Sequence, residues 1–183
     1  MAEWQAFILP IVVFLPVLAA ATLTSVGIIL SLFGLNGLPE SVWRIVGLGA
    51  AIATFLLILL GVVFDFDPEV LGLQHVSAFA GPESVDVRLL FGVDGIGLCF
   101  MLSTAAIVPL VMLLAEREVE YSIRSWVLAC LLLESTLLGA LVSANWFGFI
   151  FFWTAALVPV LLWIGRWGRA GRCPEEDEPK PVG

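Results

Sequence analysis

The stretch Trp126–Ser143, WVLACLLLESTLLGALVS, decides the fold, because it is apolar on every face yet carries one carboxylate, Glu134, at its centre. A helix needs roughly 20 apolar residues to cross the ~30 Å hydrocarbon core of a bilayer. With Ile123 at its start, this run is long enough. Glu134 is the only acid or base far from the ends of any apolar stretch in the chain. An acid at bilayer depth costs roughly 2.5–3.5 kcal/mol on insertion scales, so it is read as a functional candidate.

Working outward, four further stretches qualify as spans: Phe7–Phe33, Val42–Phe64, Ile96–Ala115 and Trp146–Ile164. Over the 183 residues 61% are hydrophobic and 13% charged, and the mean hydropathy is +1.07. Such values lie outside the range of water-soluble domains. The fold class expected is therefore an all-α integral membrane protein of about five transmembrane helices. A β-barrel would show short alternating segments, whereas Ala51–Val63 is apolar on every face.

The chain opens Met1, Ala2, Glu3, without the basic start of a cleavable leader, so the first span is expected to be retained. If the five helices alternate in direction, Arg44, Arg117, Arg124, Arg166, Arg169, Arg172 and Lys180 fall on one side and Arg88 alone on the other. The bias of basic residues toward the cytoplasm then puts the amino terminus outside and the carboxyl terminus inside a bacterial-type inner (cytoplasmic) membrane. The net charge of −8 and the absence of a basic stripe argue against nucleic acid as a partner.

Within the external loop 65–94, Val85, Val87, Leu89 and Phe91 alternate with Asp86 and Arg88, a strand pattern. Gly81-Pro82-Glu83 supplies a turn and Val76–Ala80 a partner strand, giving a short external β-hairpin that needs a neighbour to rest on. Asp94 precedes Gly95-Ile96-Gly97 as a cap of the third helix. Pro109 and Pro159 each remove a ladder hydrogen bond, so kinks are expected there. Ser135, Gly139 and Ser143 form a small-residue ridge that marks the fourth helix as interior. Residues 1–168 make the membrane domain, and the polar tail 169–183 is expected to be disordered.

Cys99, Cys130 and Cys173 are too far apart for a metal motif, and the single histidine, His75, reads as a solvated loop residue. No metal site is expected, and no flavin, iron–sulfur or nucleotide motif is present. No catalytic redox site belongs to this chain.

From Phe91 onward the sequence resembles a known family. Phe91-Gly92-Val93-Asp94-Gly95-Ile96-Gly97-Leu98 is similar to the G-V-D-G-I-S-L start of the third helix in the M-type antiporter-like subunits of respiratory NADH:quinone oxidoreductase (complex I), relatives of the Mrp antiporter subunits. Leu133-Glu134-Ser135-Thr136-Leu137-Leu138-Gly139 resembles the family's L-E-x-x-L-L-G. Phe152-Trp153-Thr154-Ala155-Ala156-Leu157-Val158-Pro159 resembles its F-W-E-L-M-L-I-P, and Ile164-Gly165-Arg166-Trp167-Gly168 its I-G-x-W-G.

The resemblance implies a membrane-arm subunit that works with other membrane subunits, with NADH, flavin, iron–sulfur centres and quinone held only by partner chains. It also marks two departures. Thr154 stands where the family has its fifth-helix glutamate, and the channel lysines of the family's later helices are missing, Lys180 being in the tail. The expectation is of a truncated or split antiporter-like subunit contributing to proton translocation, with Glu134 the ion-path candidate, or to its scaffold. The alternative is an accessory membrane protein without transport, in which Glu134 is hydrogen-bonded by Ser135, Thr136 or Thr154.

Overall fold

A computed structural model describes residues 5–35, 37–70, 72–80, 88–115 and 123–167. Five long helices dominate them: α1 (Gln5–Leu32), α2 (Glu40–Leu57), α3 (Gly95–Ala115), α4 (Ile123–Val142) and α5 (Trp146–Trp167). All five are long and apolar enough to cross a membrane. Their ends fall within a few residues of the apolar runs, because in lipid an unpaired backbone group costs several kcal/mol and the whole span must stay hydrogen-bonded. The protein is thus an integral membrane protein of helices with one small hairpin.

Two features depart from uniform α-helix. Pro10 and Pro16 lie inside α1, and Pro109 and Pro159 inside α3 and α5. The second span, expected to be α-helical throughout, widens into a π-helical segment at Ile58–Val63. Gly61 lies there against Ile8 of α1, so closely that a β-carbon would collide with its side chain.

The hairpin pairs β1 (Gln74–Ala80) with β2 (Arg88–Val93) antiparallel, with Ser77 opposite Phe91 and Ala80 opposite Arg88. The proposed turn at Gly81-Pro82-Glu83 and the residues Val85 to Val87 lie outside the described residues. The hairpin rests on α1, and β2 also touches α4 and α5. The link from α4 to α5 extends this pairing: the Ala144 N–H donates to the Leu90 carbonyl at 2.7 Å, and Ser143 bridges Phe91. A two-stranded ribbon that is marginal in water is stabilised here by the helices beneath it.

His75 corrects the reading of a solvated side chain. Its relative exposure is 7%. The register slips between Gln74 and Ser77, and the extra residue is accommodated with His75 at φ 54°, a left-handed conformation in which histidine is enriched. A bulge of this kind re-aims a side chain, and here the imidazole is turned away from solvent. Sequence alternation cannot register such a slip.

α4 is the central element, touching every other helix. Two apolar clusters flank its midpoint. One, toward the hairpin, joins Leu9, Val12, Ile58, Phe91, Met101 and Leu138. The other, toward the far end, joins Leu23, Trp43, Ala51, Met112, Val127 and Leu131.

Candidate functional site

Glu134 sits between these two clusters, with Leu131 in one and Leu138 in the other. It is fully buried at 0% exposure, and neither carboxyl oxygen has a hydrogen-bond partner among the described residues. Cys130, one helical turn earlier, is also buried. Polar groups in such an environment are usually satisfied, since leaving one unpaired costs several kcal/mol.

The hydroxyls expected to satisfy Glu134 are engaged elsewhere. Ser135 Oγ donates to the Val13 carbonyl of α1 at 2.7 Å. Thr136 Oγ1 donates to Leu132 at 2.8 Å and to Leu133 at 3.1 Å within its own helix. Thr54, buried on α2, donates to the Ala50 carbonyl at 3.0 Å. Thr154 is exposed on the outer surface of α5. The expectation of a carboxyl bonded by Ser135, Thr136 or Thr154 is therefore corrected. Serine and threonine hydroxyls in a helix readily find a carbonyl three or four residues back, whereas Ser135 reaches across to the Val13 carbonyl of α1.

The ridge on α4 divides its work. At Gly139 a β-carbon would collide with the Phe152 ring, so glycine allows α5 to approach. Ser135 ties α4 to α1, and Ser143 Oγ donates to the Gly139 carbonyl at 2.7 Å. Above Gly139 an aromatic trio closes the hairpin end: Phe91 and Phe152 lie 6.1 Å apart, with Phe14 6.5 Å from Phe91 and 6.4 Å from Phe152.

Asp94 starts α3: its Oδ1 accepts from the Gly97 N–H at 2.6 Å and its carbonyl from the Leu98 N–H at 2.9 Å. Asn145 does the same for α5, its Oδ1 accepting from the Gly148 N–H at 3.1 Å. Sequence reading missed Asn145, though an asparagine directly before an apolar run is a cap signal. Pro109 and Pro159 are buried within their helices, Cys99 is exposed, and Cys173 lies outside the described residues. No group of three or more metal-ligating side chains occurs among the described residues.

No family model matches the chain. Individual proteins do. Over 161 residues, 88% of this chain, it is 34% identical to NADH-quinone oxidoreductase subunit M of Rhodobacter capsulatus, covering 30% of that protein. It is 26% identical over 129 residues to NADH-ubiquinone oxidoreductase chain 4 of Arabidopsis thaliana, covering 70% of this chain and 26% of that one. Among solved structures, the fold matches a chain of respiratory complex I from Thermus thermophilus with bound NADH at a TM-score of 0.65 and 32% identity, over 87% of this chain and 29% of the other.

Five apolar helices, the hairpin and these likenesses make the chain homologous to part of an antiporter-like membrane subunit of the complex I class. Within that class the relatives are named subunit M or chain 4, and the chain spans between about two and three tenths of the length of the curated relatives it matches.

Proposed function

We propose that the chain is a membrane-arm unit of a complex I-like or Mrp-like assembly and that Glu134 is a proton-carrying group on a path completed by other subunits. The observation that carries this reading is the fully buried Glu134 carboxyl with no hydrogen-bond partner among the described residues. An acid inside a membrane bundle and facing its interior is the pattern of a proton relay, and among the described residues no donor offsets the burial of this one. Its place between the two apolar clusters puts it at mid-depth in the bundle.

In this reading the amino terminus and hairpin face outside a bacterial-type inner membrane, the tail 169–183, which lies outside the described residues, is on the cytoplasmic side, and lipid surrounds the outer helix faces. Electron transfer from NADH to quinone belongs to partner subunits, with their flavin and iron–sulfur centres. A second reading, a scaffold without transport, is favoured by one observation: Thr154 stands where the family has its fifth-helix acid and is exposed on α5.

Glu134→Gln in the native assembly separates the two. The expected result is an intact complex that still oxidises NADH but pumps fewer protons per NADH. Unchanged pumping in the assembled variant would remove Glu134 from the path and leave the scaffold.

A further inference from the structure

At the end of the bundle away from the hairpin, the start of α2, the end of α3 and the start of α4 enclose a cavity of about 130 Å³. Met112 and Val127, both buried, form its floor; Ile45 and Leu113, which are 71% and 48% exposed, stand at its mouth. Leu48, Ile123, Arg44 and Trp126 complete the lining, and the Trp126 ring is stacked on Trp163 of α5 at 5.2 Å. An apolar cavity on the order of 150 Å³ accepts a guest the size of benzene.

The level of this cavity identifies its solvent. Arg44 lies one turn inside α2, Trp126 in the first turn of α4, and Trp43 and Trp163 at the same depth. Tryptophan and arginine gathered at span ends mark the headgroup layer. An apolar hole opening at that layer beside a guanidinium matches a molecule with an acyl chain and a negative head.

We propose that this cavity seats an anionic phospholipid, with its phosphate against Arg44 and the first carbons of one acyl chain over Met112 and Val127. This assignment rests on membrane insertion alone and is independent of any proton path. Glu40, exposed one turn before Arg44 on α2, is an acid that a phosphate would meet there, and the cavity adds a hold on the acyl chain that a carboxylate lacks.

The test uses the full chain in phosphatidylcholine vesicles titrated with dibrominated phosphatidylglycerol or dibrominated phosphatidylcholine, read by quenching of tryptophan fluorescence. One basic side chain at the membrane surface favours an anionic lipid by roughly fivefold. The expected result is saturable quenching with a preference of about that size for phosphatidylglycerol, lost in Arg44→Gln at unchanged helix content. Leu48→Phe, which fills the cavity without altering charge, is expected to reduce quenching by both brominated lipids. Equal quenching by the two lipids in the wild type, or a full phosphatidylglycerol preference in Arg44→Gln, would overturn the assignment. If Leu48→Phe fails to fold, the Arg44→Gln comparison still decides.

Discussion

α4 and α5 are adjacent helices of similar length and similarly apolar composition, yet they are placed in opposite surroundings. Of the most apolar eighteen residues in each, 56% are buried in α4 and 22% in α5. The difference teaches that in a bilayer apolarity does not say which helix is inside, because lipid tails are as apolar as leucine. What distinguishes the interior helix is its small and polar positions, Ser135, Gly139 and Glu134, each used for packing or chemistry. α5 shows aromatic bulk to the outside instead, with Trp146, Phe151 and Trp153 exposed.

The largest expected break in this contrast comes from truncating a leucine on each helix. Leu138 is completely buried, whereas Leu157 is 53% exposed. Leu138→Ala leaves a cavity that the neighbouring clusters can only partly close and is expected to cost about 3 kcal/mol. Leu157→Ala, which exchanges contacts with lipid, is expected to change stability by less than about 0.5 kcal/mol. Reversible unfolding of both variants in the same detergent or bicelle system measures the pair. Equal losses would mean that α5 is as enclosed as α4.

Next in size is the glycine contrast. Gly139→Ala forces the Phe152 ring aside and is expected to cost about 1–3 kcal/mol. Gly165→Ala on α5 meets nothing within 4 Å and is expected to be neutral or slightly stabilising, since alanine is the better helix former. Combining Gly139→Ala with Phe152→Leu in a double-mutant cycle sharpens the comparison: a positive coupling between the two sites is expected if ring and β-carbon compete for one space.

These contrasts also show how far the sequence could be read. The five spans were legible because lipid forces long uninterrupted apolar runs, and the hairpin because Leu89 and Phe91 alternate beside turn residues. Asp94 was legible because an acid ahead of Gly95-Ile96-Gly97 has one local donor set to serve. His75 was not, since its burial depends on a one-residue slip between strands. Nor was the outward placement of Thr154, because lipid-facing and protein-facing sides of α5 have the same polarity. The fate of the hydroxyls around Glu134 was hidden for a related reason: Ser135 could bond its own helix, Glu134 or a neighbour, and only the approach of α1 selects the Val13 carbonyl.

The capping residues give a smaller test at the ends of the same elements. Asp94→Ala removes a 2.6 Å bond to the first turn of α3, and Asn145→Ala a 3.1 Å bond to the first turn of α5. Each is expected to cost about 1 kcal/mol, with Asp94 the larger because its charge also favours the positive end of the helix dipole. Asp94→Asn keeps the acceptor and removes the charge, so it should recover most of the loss. Thermal unfolding of the three variants at low and high salt measures both contributions, and only the charge-dependent part should shrink with salt.

The smallest expected effect lies at the most buried polar contact. Ser135→Ala deletes the donor to the Val13 carbonyl and leaves α1 and α4 otherwise in place. In water a buried hydrogen bond of this kind is weighed against solvent; within a membrane the separated helices also find other partners, and measured values average ~0.6 kcal/mol. The carbonyl is not stranded as an isolated group would be, because helical carbonyls can share donors, so a loss near ~0.6 kcal/mol is expected rather than the full desolvation cost. A loss several times larger in the same unfolding assay would mean that the turn around Pro16 depends on Ser135 to close. The small hydroxyl, rather than the surrounding leucines, would then fix how α1 meets the helix that carries Glu134.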